Sequence, residues 1–133
     1  MTILISISIK QQQLTLIDDD KLIKFYSIST ALKGTGQNKN SYQTPLGLHY
    51  IRAKIGKDLP LFSIFEGRRP TGEIWCKDNS ELKPNHDWIL SRIIWLSGKE
   101  FGINRLGNSD TMQRYIYIHG THDEKQLGSP LSH

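Results

Sequence analysis

The sequence predicts a mainly β protein with little helix. Several short segments alternate between apolar and polar residues with a period of two, which is typical of strands. Clusters of Gly, Pro, Asn and Asp separate these segments, and no stretch has the spacing of a long amphipathic helix. We therefore expect one folded-over β-sheet assembly, with room for a short helix.

The first thirty residues contain three strand patterns. Residues 2–9 place an isoleucine at every second position, and residues 13–17 alternate again. Asp18, Asp19 and Asp20 mark a turn before residues 21–28, so this pair is predicted to form a hairpin. No basic stretch precedes residues 2–9 and no small-residue cleavage site follows, so we expect a strand there and no export signal in the chain as written.

The middle of the chain contains shorter signals. They predict a polar loop at 34–40, a turn at 44–47, a strand at 48–55, a short apolar run at 59–65 and a basic loop at 67–72.

Two apolar segments follow in the last third of the chain. Residues 88–96 are the most apolar, and their spacing also suits a helix. Their shortness and their Ile and Trp content favour a strand buried on both faces. In residues 115–119 the alternation places Tyr115, Tyr117 and His119 on one face.

Composition excludes several classes of protein. The length of 133 residues is enough for one domain, and 37% hydrophobic with 23% charged residues argues against disorder. No apolar run approaches the roughly 20 residues of a membrane span. The single cysteine, Cys76, excludes an internal disulfide and a multi-cysteine zinc site. The net charge of +4 suits an anionic partner, but so modest an excess is more often a matter of solubility.

The chemistry-bearing residues lie in the last fifteen positions. His119 ends a predicted strand that would hold its ring, and Gly120 lets the following loop turn sharply. Ser132 and His133 follow a turn of the form Gly-x-Pro.

This segment resembles the active-site signature of the L,D-transpeptidases, the YkuD-type domains that cross-link bacterial peptidoglycan. That signature reads His-Gly-Thr, a loop with Gly-x-Pro, and then Ser-His-Gly-Cys followed by Ile or Val and Arg. The matching residues are His119, Gly120, Thr121, Gly128, Pro130, Ser132 and His133.

The likeness extends upstream over most of residues 11–133. Matching segments are 13–16, 27–30 with Gly34 and Gly36 (imperfectly spaced), 44–47, 88–98, 102–105 and 114–119. The resemblance implies a single YkuD-type β-sandwich domain over residues 1–133, with its C-terminal part missing.

The resemblance also implies a mechanism. In this family a cysteine thiolate attacks the carbonyl of the third residue of a tetrapeptide stem, expels the terminal D-alanine and passes the acyl group to an amine. By resemblance, His119 is the base and the carbonyl of Gly120 orients its ring. Ser132 and His133 would line the oxyanion side, and Tyr117 the substrate groove. The family needs no metal and no organic cofactor, and it acts in the cell envelope.

One departure from the signature affects the expected activity. The sequence ends at His133, so the Gly, Cys and Arg of the signature do not appear in it. We expect this exact chain to be inactive. Three hypotheses remain open: a transpeptidase whose record or gene is cut short, a non-catalytic remnant that still binds peptidoglycan stems, and a pseudogene fragment.

Competing interpretations are weaker. Cys76 and Ser132 do not stand where the family signature has its nucleophile. A metal site could be formed by His119, His122, Asp123 and His133, but its main signal is a His-x-x-His spacing that often arises by chance. Lys54, Lys57, Arg68 and Arg69 offer charge for nucleic acid, but without a binding motif or basic residues interleaved with stacking aromatics. His49 and His86 are expected to be surface or satisfied core residues, and Trp75, Trp88 and Trp95 to be core residues.

Overall fold

A computed structural model describes residues 2–131, and it is mainly β, as predicted. The chain divides into two compact units. The first consists of residues 2–34 and 123–131, and the second of residues 35–122. In the described residues, no helix is long and apolar enough to cross a membrane.

The first unit is built on a three-stranded antiparallel sheet. Its strands, in the spatial order β1-β2-β3, are β1 (Ile3–Ser8), β2 (Gln13–Asp18) and β3 (Lys21–Ser27). The predicted hairpin between β2 and β3 is confirmed. Asp19 and Asp20 form its two-residue turn, both with positive φ, which suits the right-handed twist of the paired strands.

The segment after β3 is held by backbone pairing and by one buried side chain. Gln12 is 4% exposed, and its amide donates to the hydroxyl of Thr30 at 2.7 Å while accepting from the Thr30 N–H at 2.8 Å. Gly128 N–H donates to Ile28 O, and Leu131 N–H donates to Thr30 O. The loop that carries the Gly-x-Pro turn is therefore anchored within this unit.

The second unit contains a five-stranded antiparallel sheet. Its strands are β4 (His49–Ile55), β5 (Ser63–Glu66), β6 (Arg69–Ile74), β7 (Ile89–Gly98) and β8 (Tyr117–Gly120). The order is β4-β7-β5-β6, and β8 also pairs with β7. A short helix, α1 (Lys77–Leu82), follows β6.

Two details of the second unit differ from the sequence-based expectation. Residues 67–72 are not a basic loop, because only Gly67 and Arg68 turn and β6 begins at Arg69. Tyr115 does not belong to the last strand. It lies in a turn with a φ of 56°, and β8 begins two residues later.

The core of the second unit lies on both faces of β7. Ile64, Trp88 and Leu90 form a buried cluster against which Phe62 and Trp75 pack. Ile93, 1% exposed, lies on the opposite face from Leu90, because their partners on β8 are the adjacent residues His119 and Gly120. The predicted strand buried on both faces is thus confirmed in this part of β7.

The predicted turn at residues 44–47 is held by a fully buried asparagine. The Asn104 amide donates to the carbonyls of Leu46 and Leu48 at 3.0 Å each, and its oxygen accepts from the Glu100 N–H. Gly47 has a φ of 96°, so glycine suits the turn.

His49 joins this turn to a distant loop. Its Nδ1 lies 3.0 Å from Gly47 O, and its Nε2 lies 2.9 Å from the hydroxyl of Thr111. Burial lowers the pKa of His49 below the ordinary 6.5, although the Gly47 carbonyl and the Glu100 carboxylate oppose this effect.

The lowered pKa of His49 predicts a pH-dependent contribution to stability. The unfolded chain binds the proton more readily than the folded one, so this contribution is complete above pH 6.5 and is lost as the pH falls from there towards the lowered folded pKa. The free energy of unfolding in urea should be measured at pH 7.5 and pH 5 for the wild type and for His49→Gln. Relative to the wild type, the variant should be more stable at pH 5 than at pH 7.5, because only the wild type loses the contribution of His49. A difference that is the same at both pH values would contradict this assignment.

Candidate active site

Strand β8 carries the three predicted site residues that the structure describes. Tyr117 lies opposite Trp95 of β7, and His119 lies opposite Ile93. Tyr117 and His119 are two residues apart on a strand, so their side chains share one face at a spacing of about 7 Å. Gly120 lies opposite Leu90, at the end of the strand.

A bulge in β7 faces the His119–Gly120 peptide. The register shifts between Leu90 and Ile93, and Ser91 has a φ of 68°. The Ser91 hydroxyl accepts a hydrogen bond from the backbone N–H of Phe62 at 2.9 Å, which ties the bulge to the segment before β5. Bulges change the direction of neighbouring side chains, and here the bulge lies beside the candidate base.

The imidazole of His119 is oriented by the residue that follows it. Its Nδ1 lies 2.9 Å from the carbonyl oxygen of Gly120, and the side chain is half-buried. A carbonyl oxygen can only accept, so this contact requires the proton on Nδ1. The Nε2 lone pair of the neutral ring is then available to accept a proton.

Gly120 has no room for a side chain. A Cβ atom at this position would lie 2.7 Å from the carbonyl oxygen of Leu90 and 3.1 Å from the Ser91 hydroxyl. Because the first of these neighbours is backbone of the central strand, it cannot move aside cheaply. Glycine is needed here for close packing of β8 on β7.

His122, just beyond β8, packs on an aromatic ring. Its ring centroid lies 4.8 Å from that of Trp75, whose indole N–H donates to the Ser80 hydroxyl at 3.1 Å. Within residues 2–131 no group of three or more His, Cys, Asp or Glu side chains is placed to hold a metal. His133, the fourth residue of the metal hypothesis, lies outside that range.

The phenol of Tyr117 meets an arginine that the sequence did not place there. Arg68, in the β5–β6 turn, donates from Nη1 to the Tyr117 oxygen at 3.1 Å. Burial raises the pKa of Tyr117, and the neighbouring guanidinium opposes part of this rise. Tyr117 therefore remains a neutral phenol at physiological pH, with its oxygen as acceptor.

Trp95 is not a simple core residue, in contrast to Trp88. It is partly exposed, and the guanidinium carbons of Arg52 and Arg68 each lie 5.4 Å from its ring centroid. The sequence shows no basic residues interleaved with aromatics, but the fold brings them together from separate segments. Local sequence patterns contain no signal for this cluster.

Cys76 lies at the start of α1. It is exposed and unpaired, and its backbone N–H donates to Asn79 Oδ1 at 2.7 Å. Among the residues described, no hydrogen bond joins Cys76 to an imidazole. The two remaining predicted site residues, Ser132 and His133, lie outside the described part of the chain.

Comparison with protein families identifies the fold. The family model YkuD, described as the L,D-transpeptidase catalytic domain, matches residues 2–133. The chain belongs to the YkuD family of L,D-transpeptidases. No curated protein and no solved structure matches it significantly. The two antiparallel sheets of this L,D-transpeptidase chain agree with the mainly β fold expected of a YkuD domain.

The contact between His119 and Gly120 predicts the tautomer of the imidazole. Long-range ¹H–¹⁵N correlation spectra at a pH where the ring is neutral should show the proton on Nδ1 of His119, because the Gly120 oxygen accepts from it. His49, whose Nδ1 faces the Gly47 carbonyl, provides an internal comparison with the same expected tautomer. A His119 ring protonated on Nε2 would contradict the geometry.

Proposed function

We propose that this chain supplies the general-base side of a peptidoglycan L,D-transpeptidase site. The observation that carries the proposal is the imidazole of His119, held with Nδ1 on the Gly120 carbonyl and Nε2 left to take a proton. In this family the proton comes from the cysteine thiol that attacks a tetrapeptide stem. The Gly120 carbonyl takes the place of the acidic residue that orients the histidine in other nucleophile–histidine sites.

The other site residues have supporting roles in this proposal. Tyr117 lies on the same face as His119, where it would border the groove for the stem peptide. Ser132 and His133 match the family signature on the oxyanion side, where donors stabilise the negative charge of the tetrahedral intermediate. We also propose that both compact units belong to one catalytic domain, since the family model spans residues 2–133. Since the family acts on peptidoglycan, we propose the cell envelope as the place where the protein acts.

The nucleophile is not among these 133 residues in our proposal. Their single cysteine is Cys76, which stands outside the family signature and has no imidazole partner in the described residues. A polypeptide of these 133 residues alone would therefore bind stem peptides without transferring their acyl groups.

The native protein provides the first test of this function. Its intact mass shows whether it is heavier than the 15.3 kDa of the 133 residues, and peptides that read Ser-His-Gly-Cys would show that a cysteine follows His133. A heavier protein with that cysteine should release D-alanine from a tetrapeptide stem, and His119→Gln should lower kcat by about 10²–10⁴-fold, the usual contribution of a general base. Turnover that is unaffected by His119→Gln would refute the assigned role. A native mass of 15.3 kDa would support the hypothesis of a non-catalytic peptidoglycan-binding protein.

A second test uses the 133-residue polypeptide itself. Carbapenems acylate the catalytic cysteine of this family, so intact-mass analysis should find no stoichiometric carbapenem adduct on this polypeptide. Iodoacetamide should modify the exposed Cys76 and so show that the thiol is accessible. A carbapenem adduct that disappears in Cys76→Ser would make Cys76 the nucleophile, contrary to the proposal.

A further inference from the structure

Two arginines and three aromatic rings form a cluster on the second unit, which we call the arginine–aromatic cluster. Its members are Arg52, Arg68, Trp95, Tyr115 and Tyr117. The guanidinium carbon of Arg68 lies 4.3 Å from the Tyr115 ring centroid and 5.4 Å from that of Trp95. Arg52 approaches the same Trp95 ring at 5.4 Å.

The rings of the cluster hold Arg68 in position. Trp95 and Tyr117 are nearly perpendicular at a centroid distance of 6.1 Å, and the Trp95 indole N–H donates to Met112 O at 3.2 Å. Arg68 stacks on these rings and donates to the Tyr117 oxygen. Its planar head is therefore restrained before any ligand arrives, which reduces the entropy lost on binding.

The cluster carries two positive charges and no balancing acidic group. In the described residues, neither Arg52 nor Arg68 forms an ion pair with a carboxylate. Both guanidinium groups lie close to one indole ring, so their like charges repel each other, and a bound anion would offset that repulsion. Guanidinium groups bind carboxylates through paired, charge-assisted hydrogen bonds.

The position of the cluster relates it to the candidate base. Tyr117 and His119 are neighbours on one face of β8, with backbone positions about 7 Å apart, and Arg68 donates to the Tyr117 oxygen. In a donor stem, the terminal carboxylate is one residue beyond the carbonyl that is attacked, about 3.6 Å in an extended chain.

We propose that the arginine–aromatic cluster binds the terminal carboxylate of the donor tetrapeptide stem. This inference rests on the proposed function, and it adds a carboxylate subsite to the side of His119 that faces Tyr117. Arg68 is the main carboxylate ligand, since its guanidinium group is stacked on the rings and hydrogen-bonded to Tyr117. The exposed Arg52, which also contacts Trp95, contributes a second positive charge. Both are substrate-binding residues and take no part in proton transfer.

The test compares two forms of one stem peptide on the 133-residue chain. A tetrapeptide stem with a free terminal carboxylate and the same peptide with a terminal carboxamide are titrated separately, with amide and indole resonances as the readout. The carboxamide should bind about tenfold more weakly, since a charge-assisted hydrogen bond is lost. Both peptides should shift the resonances of β8 around His119.

Three variants test whether the cluster causes the preference for the carboxylate form of the peptide. Arg68→Gln should reduce the carboxylate preference to within about twofold, and Arg52→Gln should reduce it in part. Arg69→Gln is the matched control. It removes the same charge from the next residue, which is exposed and contacts none of the three rings, so it should keep the full preference. If Arg68→Gln does not fold, the exposed Arg52 supplies the decisive variant.

Other outcomes would overturn the inference in distinguishable ways. Equal binding of the acid and the amide, with β8 still perturbed, would refute the carboxylate subsite and leave the proposed function intact. Methyl phosphate that binds at Trp95 while the peptides show no preference would make the cluster a site for phosphate groups instead. Failure of every stem peptide to perturb β8 would contradict the subsite and the proposed function together.

Discussion

Backbone pairing along β7 is the constraint on which the second unit depends. This ten-residue strand is the shared partner of β4, β5 and β8, so three segments from distant parts of the chain acquire their positions from one ladder. Leu90 and Ile93, both almost completely buried, hold its two faces in the core. Because β8 is bonded to this strand along residues 117–120, the ring of His119 rests on a rigid element rather than on a loop. Because displacing β7 would cost this pairing and core packing, the position of His119 is well fixed.

The bulge in β7 and the glycine after His119 act together. The bulge is the irregular part of the pairing between β7 and β8, and it lies opposite the peptide that joins His119 to Gly120. Gly120 fits against the Leu90 carbonyl because it has no Cβ, and its own carbonyl is then directed at His119 Nδ1. Backbone geometry in this way performs the orienting task that a carboxylate performs in other sites.

The arginine–aromatic cluster shows how a partly buried aromatic surface can carry charge. Trp95 and Tyr115 offer the faces of their rings to guanidinium groups, an arrangement that is favourable even where water is partly excluded. Arg68 reaches this surface from a two-residue turn, in which Gly67 and Arg68 both have positive φ. The neutral Tyr117 phenol accepts a hydrogen bond from the same guanidinium group, which links Arg68 to the strand that carries the candidate base.

Local patterns in the sequence determined the fold class, most strands and the β2–β3 hairpin, and they singled out His119 and Gly120 as candidate site residues. Such features depend on period-two alternation, turn residues and a short signature, all of which are contained in neighbouring residues. The sequence did not reveal that residues 69–74 form a strand, because a Pro, a Gly and two charged side chains obscure the alternation. It also could not show the bulge at Ser91, the partners of Asn104 or the stacking of Arg52 and Arg68 on Trp95. Each of these depends on strand register and on contacts between residues far apart in the chain, which only the tertiary structure decides.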